Sequence, residues 1–159
     1  MMAPGFQPVS PQWSRHAPSP ATAAPVVEGG VVRIETQLGS MRISLHDFGA
    51  RIRFGERLND YGLLVAAPSP ARANATVDGA AIIIEGAGLR LPLDAETLAF
   101  TLEKDGRTIQ RSASDGHFVR KLRLPPFART DSGWLAHFEL ATGERVYGLG
   151  EKWGPLDKR

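Results

Sequence analysis

Nucleophilic attack, metal binding and general acid–base work each need particular side chains at particular spacings, and this chain of 159 residues offers few of them. It has no cysteine, which removes disulfides, thiolate nucleophiles and cysteine-ligated zinc or iron–sulfur sites. The four histidines, His16, His46, His117 and His137, lie far apart, with no i, i+2 or i, i+4 pairing suited to a metal. No metal site and no cofactor is therefore expected. His46 and His137 fall on the polar faces of alternating runs and are expected to be solvated. No serine occupies a nucleophile elbow, and no glycine-rich phosphate loop follows a strand. Gly148-Leu149-Gly150 lacks both the third glycine and the βαβ setting of a nucleotide signature.

Carboxylates are plentiful but unpaired. Glycoside hydrolysis takes two of them across a sugar-sized gap, one usually with a raised pKa. Asp47, Asp60, Asp94 and Asp131 qualify by type, yet each sits at an expected strand end or turn, where aspartate is ordinary. None receives a catalytic role. The run Arg120-Lys121-Leu122-Arg123, with Arg129 nearby, reads as the charged outer face of a strand. A formal charge of only +2, from 19 basic and 17 acidic residues, gives no case for nucleic acid. Trp134 alternates with Ala136 and Phe138 and is expected to fill a core, whereas Tyr147 and Trp153 remain open to stacking on a sugar ring.

The elements that must position these residues follow from a period of two. Val32-Arg33-Ile34-Glu35-Thr36 and Met41-Arg42-Ile43-Ser44-Leu45 alternate as strands with one wet face, around a turn at Leu38-Gly39-Ser40. Arg51-Ile52-Arg53-Phe54 repeats the pattern, and Ile82-Ile83-Ile84 reads as a strand buried on both faces. Leu89, Leu91 and Leu93 alternate with Arg90, Pro92 and Asp94, and Pro92 argues for an edge strand. Leu98, Phe100 and Leu102 share a face, as do Trp134, Ala136, Phe138 and Leu140. Asp78-Gly79, Asp105-Gly106 and Asp115-Gly116 are hairpin signals, because Asp tolerates positive φ and Gly adopts it freely. No apolar stripe of helical period persists for three turns. The fold expected is all-β, an antiparallel sandwich.

Domain limits come from composition. Residues 1–25 are rich in Pro, Ala and Ser and read as a disordered or extended tail; residues 26–159 carry the sandwich. No window approaches the ~18 apolar residues of a membrane span, and the N-terminus lacks the unbroken apolar stretch of a secretory signal. A cytoplasmic protein is the expectation, with neither membrane nor nucleic acid as partner.

The stretch from Gly143 to Arg159, GERVYGLGEKWGPLDKR, is the most distinctive. Two glycines flanking Leu149 allow a tight bend or a close backbone approach, and Glu151 and Lys152 open a polar loop that Gly154-Pro155 turns again. This segment resembles the end of the N-terminal domain of glycoside hydrolase family 31, the α-glucosidase and α-xylosidase family. The upstream order of Arg51-Ile52-Arg53, an Ile-rich strand and the Lys104-Asp105-Gly106 hairpin is similar too, so the resemblance covers Val26 to Arg159.

The resemblance implies a galactose mutarotase-like β-sandwich packed against a catalytic (β/α)₈ barrel, which takes ~250 residues by itself. In that family both catalytic aspartates belong to the barrel and act by a retaining double displacement. No aspartate of this chain matches either position, so the chain is expected to be inactive alone. Its implied partner is the missing barrel, in cis or on a neighbouring gene product, with an α-linked oligosaccharide as the ligand of the whole. Tyr147, Gly148, Gly150, Glu151, Lys152 and Trp153 would lie at the barrel interface or the rim of the sugar pocket. The surface facing the barrel should be apolar enough for the isolated chain to self-associate. The alternative is a stand-alone carbohydrate-binding or structural β-sandwich module.

Overall fold

The computed structural model describes residues 23–37, 39–55, 69–113, 116–118, 122–130 and 133–145. Among these there is no helix. Two antiparallel sheets dominate. The first is a meander of β1 (Val26–Glu28), β2 (Val31–Thr36), β3 (Gly39–His46) and β4 (Gly49–Phe54), paired in that order. The second contains β5 (Asn74–Asp78), β6 (Ala81–Gly86), β7 (Leu89–Asp94), β8 (Thr101–Lys104) and β9 (Arg107–Ser112). It is closed on the β9 side by the short β14 (Phe138–Glu139), giving the order β14-β9-β8-β7-β6-β5. Two further hairpins, β10 (Gly116–Phe118) with β11 (Leu122–Leu124) and β12 (Phe127–Thr130) with β13 (Gly133–Ala136), lie between β9 and β14 in sequence.

Alternation sets what each sheet buries. Val32, Ile34, Met41, Ile43 and Leu45 face inward from β2 and β3; Ile82, Ile84, Leu89, Leu91 and Leu93 face them from β6 and β7. Together with Leu98, Phe100, Leu102 and Phe127 they form one continuous core between the sheets. This is the sandwich that the period of two predicts. The turns follow backbone chemistry. Asp105 (φ 51) and Gly106 (φ 72) form a two-residue hairpin between Lys104 and Arg107, both in the left-handed region that a type I′ turn demands.

Three details differ from the sequence expectation. Ile83 is only half-buried, opposite Thr76 and Pro92, so β6 has one core face rather than two. Pro92 does not place β7 at an edge, since β7 is flanked by β6 and β8. Its missing N–H shows instead as a gap: the ladder to β8 covers Leu89 and Arg90 and then resumes as a bridge from Leu93 to Phe100. The run from Trp134 to Leu140 is not one strand either. β13 pairs with β12, the chain breaks step at His137, and β14 joins the larger sheet.

The turn after β7 is built by Asp94. Its Oδ1 accepts from Glu96 N at 3.0 Å, Thr97 N at 2.6 Å and Thr97 Oγ1 at 2.8 Å, while Leu98 N donates to its carbonyl at 2.8 Å. That cap holds Leu98 in a left-handed conformation (φ 61) with its side chain fully buried. A leucine there is strained, and the cap offsets the strain. Asp94→Ala should therefore cost about 1–2 kcal/mol in urea denaturation, and Asp94→Asn markedly less. Equal losses for the two variants would mean that the carboxamide oxygen cannot replace the carboxylate.

Candidate functional site

An apolar concavity of the sandwich opens between β4 and the β9–β14 side of the larger sheet. It is a cleft of about 390 Å³ lined by Ala50, Ile52, Phe54, Phe100, Leu102, Gln110, Phe127, Ala136 and Phe138. Inward positions of β4 supply one wall, because Ala50, Ile52 and Phe54 alternate with the outward Arg51 and Arg53. Four phenylalanines form a continuous aromatic wall. Phe54 and Phe127 meet edge-on at 5.0 Å, Phe127 and Phe100 stack at 6.0 Å, and Phe100 and Phe138 meet edge-on at 6.1 Å.

A β-bulge gives the cleft its one polar lining residue. Leu102 pairs with Gln110 but Glu103 pairs with Thr108, so Ile109 is the extra residue on β9. Ile109 is thereby displaced outward and exposed, while Gln110 shares the inward face with Leu102. Gln110 Nε2 donates to the carbonyls of Glu139 and Arg111, each at 3.2 Å, which ties β14 to β9 at the cleft mouth. Ser112 anchors the same wall from beneath: its Oγ accepts from Phe100 N at 2.8 Å. Phe138 stays 51% exposed at the rim, while Ile109 and Leu140 are exposed outside the cleft. The cleft is an apolar, aromatic surface suited to packing, without convergent acid–base or nucleophilic groups among the described residues.

The candidates read from the sequence are dispersed. Asp47 lies in the turn after β3, where its carbonyl accepts from Lys104 Nζ at 3.3 Å, and Asp94 caps a turn at the far end of β7. Asp60 and Asp131 lie outside the described residues, as do His16, Arg120 and Lys121. His46 is not solvated: it is 4% exposed, its Nε2 is 3.0 Å from Ser44 Oγ, and Phe48 stacks on it at 5.2 Å. The stacked Phe48 ring sits over the outer face of β3 there, which alternation alone does not reveal. His137 is half-buried and donates from Nδ1 to the Pro125 carbonyl, a role in chain reversal rather than chemistry. No cluster of three or more metal-ligating side chains occurs among the described residues. Tyr147, Gly148, Gly150, Glu151, Lys152 and Trp153 all lie outside the described residues.

Two antiparallel sheets around a single core, with an apolar side cleft, define an antiparallel β-sandwich. A family model, that of the glycosyl hydrolase 31 N-terminal galactose mutarotase-like domain, matches residues 22–159, and the chain belongs to this family. Its members stand beside a catalytic domain in the same enzyme. Comparison with curated proteins finds no match, and comparison with solved structures finds none either. No helix among the described residues is long and apolar enough to cross a membrane.

Proposed function

We propose that this chain is the N-terminal sandwich of an α-glycosidase of the α-glucosidase or α-xylosidase type, with residues 1–25 as a tail and 26–159 as the domain. It supports a catalytic (β/α)₈ barrel and contributes to the rim of the barrel's sugar pocket, acts within the cytoplasm, and hydrolyses nothing alone. The observation that carries this reading is the family match across residues 22–159. The phenylalanine-lined cleft supports it, because an open aromatic wall on a small domain suits burial against a neighbour. In this reading Tyr147, Gly148, Gly150, Glu151, Lys152 and Trp153 approach the junction, and the ligand is an α-linked oligosaccharide held mainly by the barrel.

The test is an assay of the purified chain with aryl α-glucosides and α-xylosides, alone and mixed with the catalytic domain encoded beside or beyond it. The chain alone should release no sugar, and it should co-purify with the catalytic domain. Trp153→Ala should weaken that association. Release of sugar by the chain alone would overturn the proposal. Calorimetric binding of maltose by the chain alone, lost in Trp153→Ala, would favour the carbohydrate-binding module instead.

A further inference from the structure

We propose that the outer face of the four-stranded sheet carries an oxyanion site, formed by Arg33, Arg42, Arg53 and Ser44, that takes a phosphate group, free or as an ester. The register places Arg33 of β2 opposite Arg42 of β3, and Arg42 opposite Arg53 of β4. All three point away from the core, because Val32, Ile34, Met41, Ile43, Ile52 and Phe54 occupy the alternate positions. Three guanidinium groups thus stand in one cross-strand row at neighbouring-strand spacing. Like charges directly opposite one another destabilise a sheet, and nothing in the core packing requires arginine at these positions.

The row walls a cavity. Arg33, Arg42, Arg53 and Ser44 line a concavity of about 340 Å³, completed by Val31 and by Glu28. Glu28 carries the one carboxylate of that lining, against three guanidinium groups. The volume is that of a small-ligand pocket, at the lower end of the usual ~300–1,000 Å³. Arginine forks match phosphate oxygens in bidentate geometry.

Buried polar groups on this face point the same way. Arg33 Nε is a buried side-chain atom of the lining without a hydrogen-bond partner; Ser40 Oγ and His46 Nδ1 are also buried and unpartnered on outward positions of β3, but lie outside the lining. Glu35 Oε1 is 3.6 Å from Arg33 Nε, an ion pair too long for a hydrogen bond. Ser44 is 7% exposed, and its Oγ lies 3.0 Å from Nε2 of the buried His46. A proton on Nε2 rather than Nδ1 leaves the His46 ring with no buried N–H lacking an acceptor. His46 then donates to Ser44 Oγ, which frees the serine O–H to donate into the cavity. A pocket furnished mainly with donors is complementary to an acceptor-rich anion.

The whole chain is titrated with inorganic phosphate, against chloride of equal ionic strength, and followed by calorimetry and thermal unfolding. Phosphate should bind saturably and raise the melting temperature beyond the chloride control. Arg42→Gln should weaken binding by about tenfold or more, Ser44→Ala by roughly threefold, and Arg111→Gln on the other sheet not at all. Arg42→Gln should melt no lower than the unsubstituted chain without phosphate, since it relieves repulsion; that shows the lost binding is not unfolding. Glucose 6-phosphate binding more tightly than inorganic phosphate would assign the ester, and the reverse order the free ion. Chloride acting as well as phosphate, the Arg42 and Ser44 variants titrating normally, or binding of a polyglutamate peptide alone would each overturn the proposal.

Discussion

Leu91→Ala should lower the stability of the sandwich by about 2–5 kcal/mol, a large share of the ~5–15 kcal/mol that holds a domain together. Leu91 is fully buried at the centre of β7, paired with the equally buried Ile84 on β6. Across the interlayer space the inward side chains of β2 and β3 belong to the same core. Truncation removes contacts to both layers, and a backbone held by the β6 ladder along the whole of β7, and tied to β8 on either side of Leu91, cannot readily collapse into the cavity. The melting temperature should fall on the order of 10 °C. Val77→Ala on β5 is the matched control, because Val77 is 58% exposed on the outermost strand of that sheet and should change stability by no more than about 0.5 kcal/mol. Urea denaturation of the two variants compares them directly. Losses of similar size would mean that the two sheets do not share a core.

Much of this architecture was legible because a half-buried strand writes its burial into alternate residues. Val32 to Leu45, Arg51 to Phe54 and the Leu89-Leu91-Leu93 series all show the alternation that the sheets adopt. Asp105-Gly106 was legible for a second reason, since its backbone conformation is one that few residue pairs accept. What escaped the sequence are features decided by neighbours far along the chain. The β6–β7 turn uses Ala87 (φ 53) before Gly88 (φ 70), a conformation alanine does not announce. Ile109 is exposed because a bulge, whose register is set against β8, makes it the extra residue of β9. His46 reads as a wet residue and is buried under Phe48. The family likeness, by contrast, rested on glycines and charged residues around Tyr147 to Trp153, and the family match over 22–159 agrees with it. The apolar cleft could not be read at all, because its walls come from β4, β8, β9, β12, β13 and β14 and meet only in three dimensions.

Gly30→Ala should be among the most damaging of the small substitutions, at about 2–4 kcal/mol, and Gly29→Ala beside it far milder, at about 1 kcal/mol. Both glycines form the turn between β1 and β2, with φ of 56 and 80, so a side chain at either adopts the left-handed conformation at a cost. Only Gly30 is also crowded. A Cβ there would lie 2.5 Å from the Ala71 carbonyl oxygen and 3.4 Å from Pro70 Cβ, whereas one at Gly29 would meet nothing within 4 Å. The segment it would strike cannot swing away freely, because Ala71 N donates to Leu45 O at 2.9 Å and Ala73 is buried in the core. Displacing Ala71 would therefore loosen the point where the chain passes from the small sheet to β5 of the large one. Hydrogen exchange should show the Ala71 amide losing protection in Gly30→Ala and keeping it in Gly29→Ala. Equal losses of stability in the two variants would leave left-handed strain as the sole cause and discard the steric contact with Ala71.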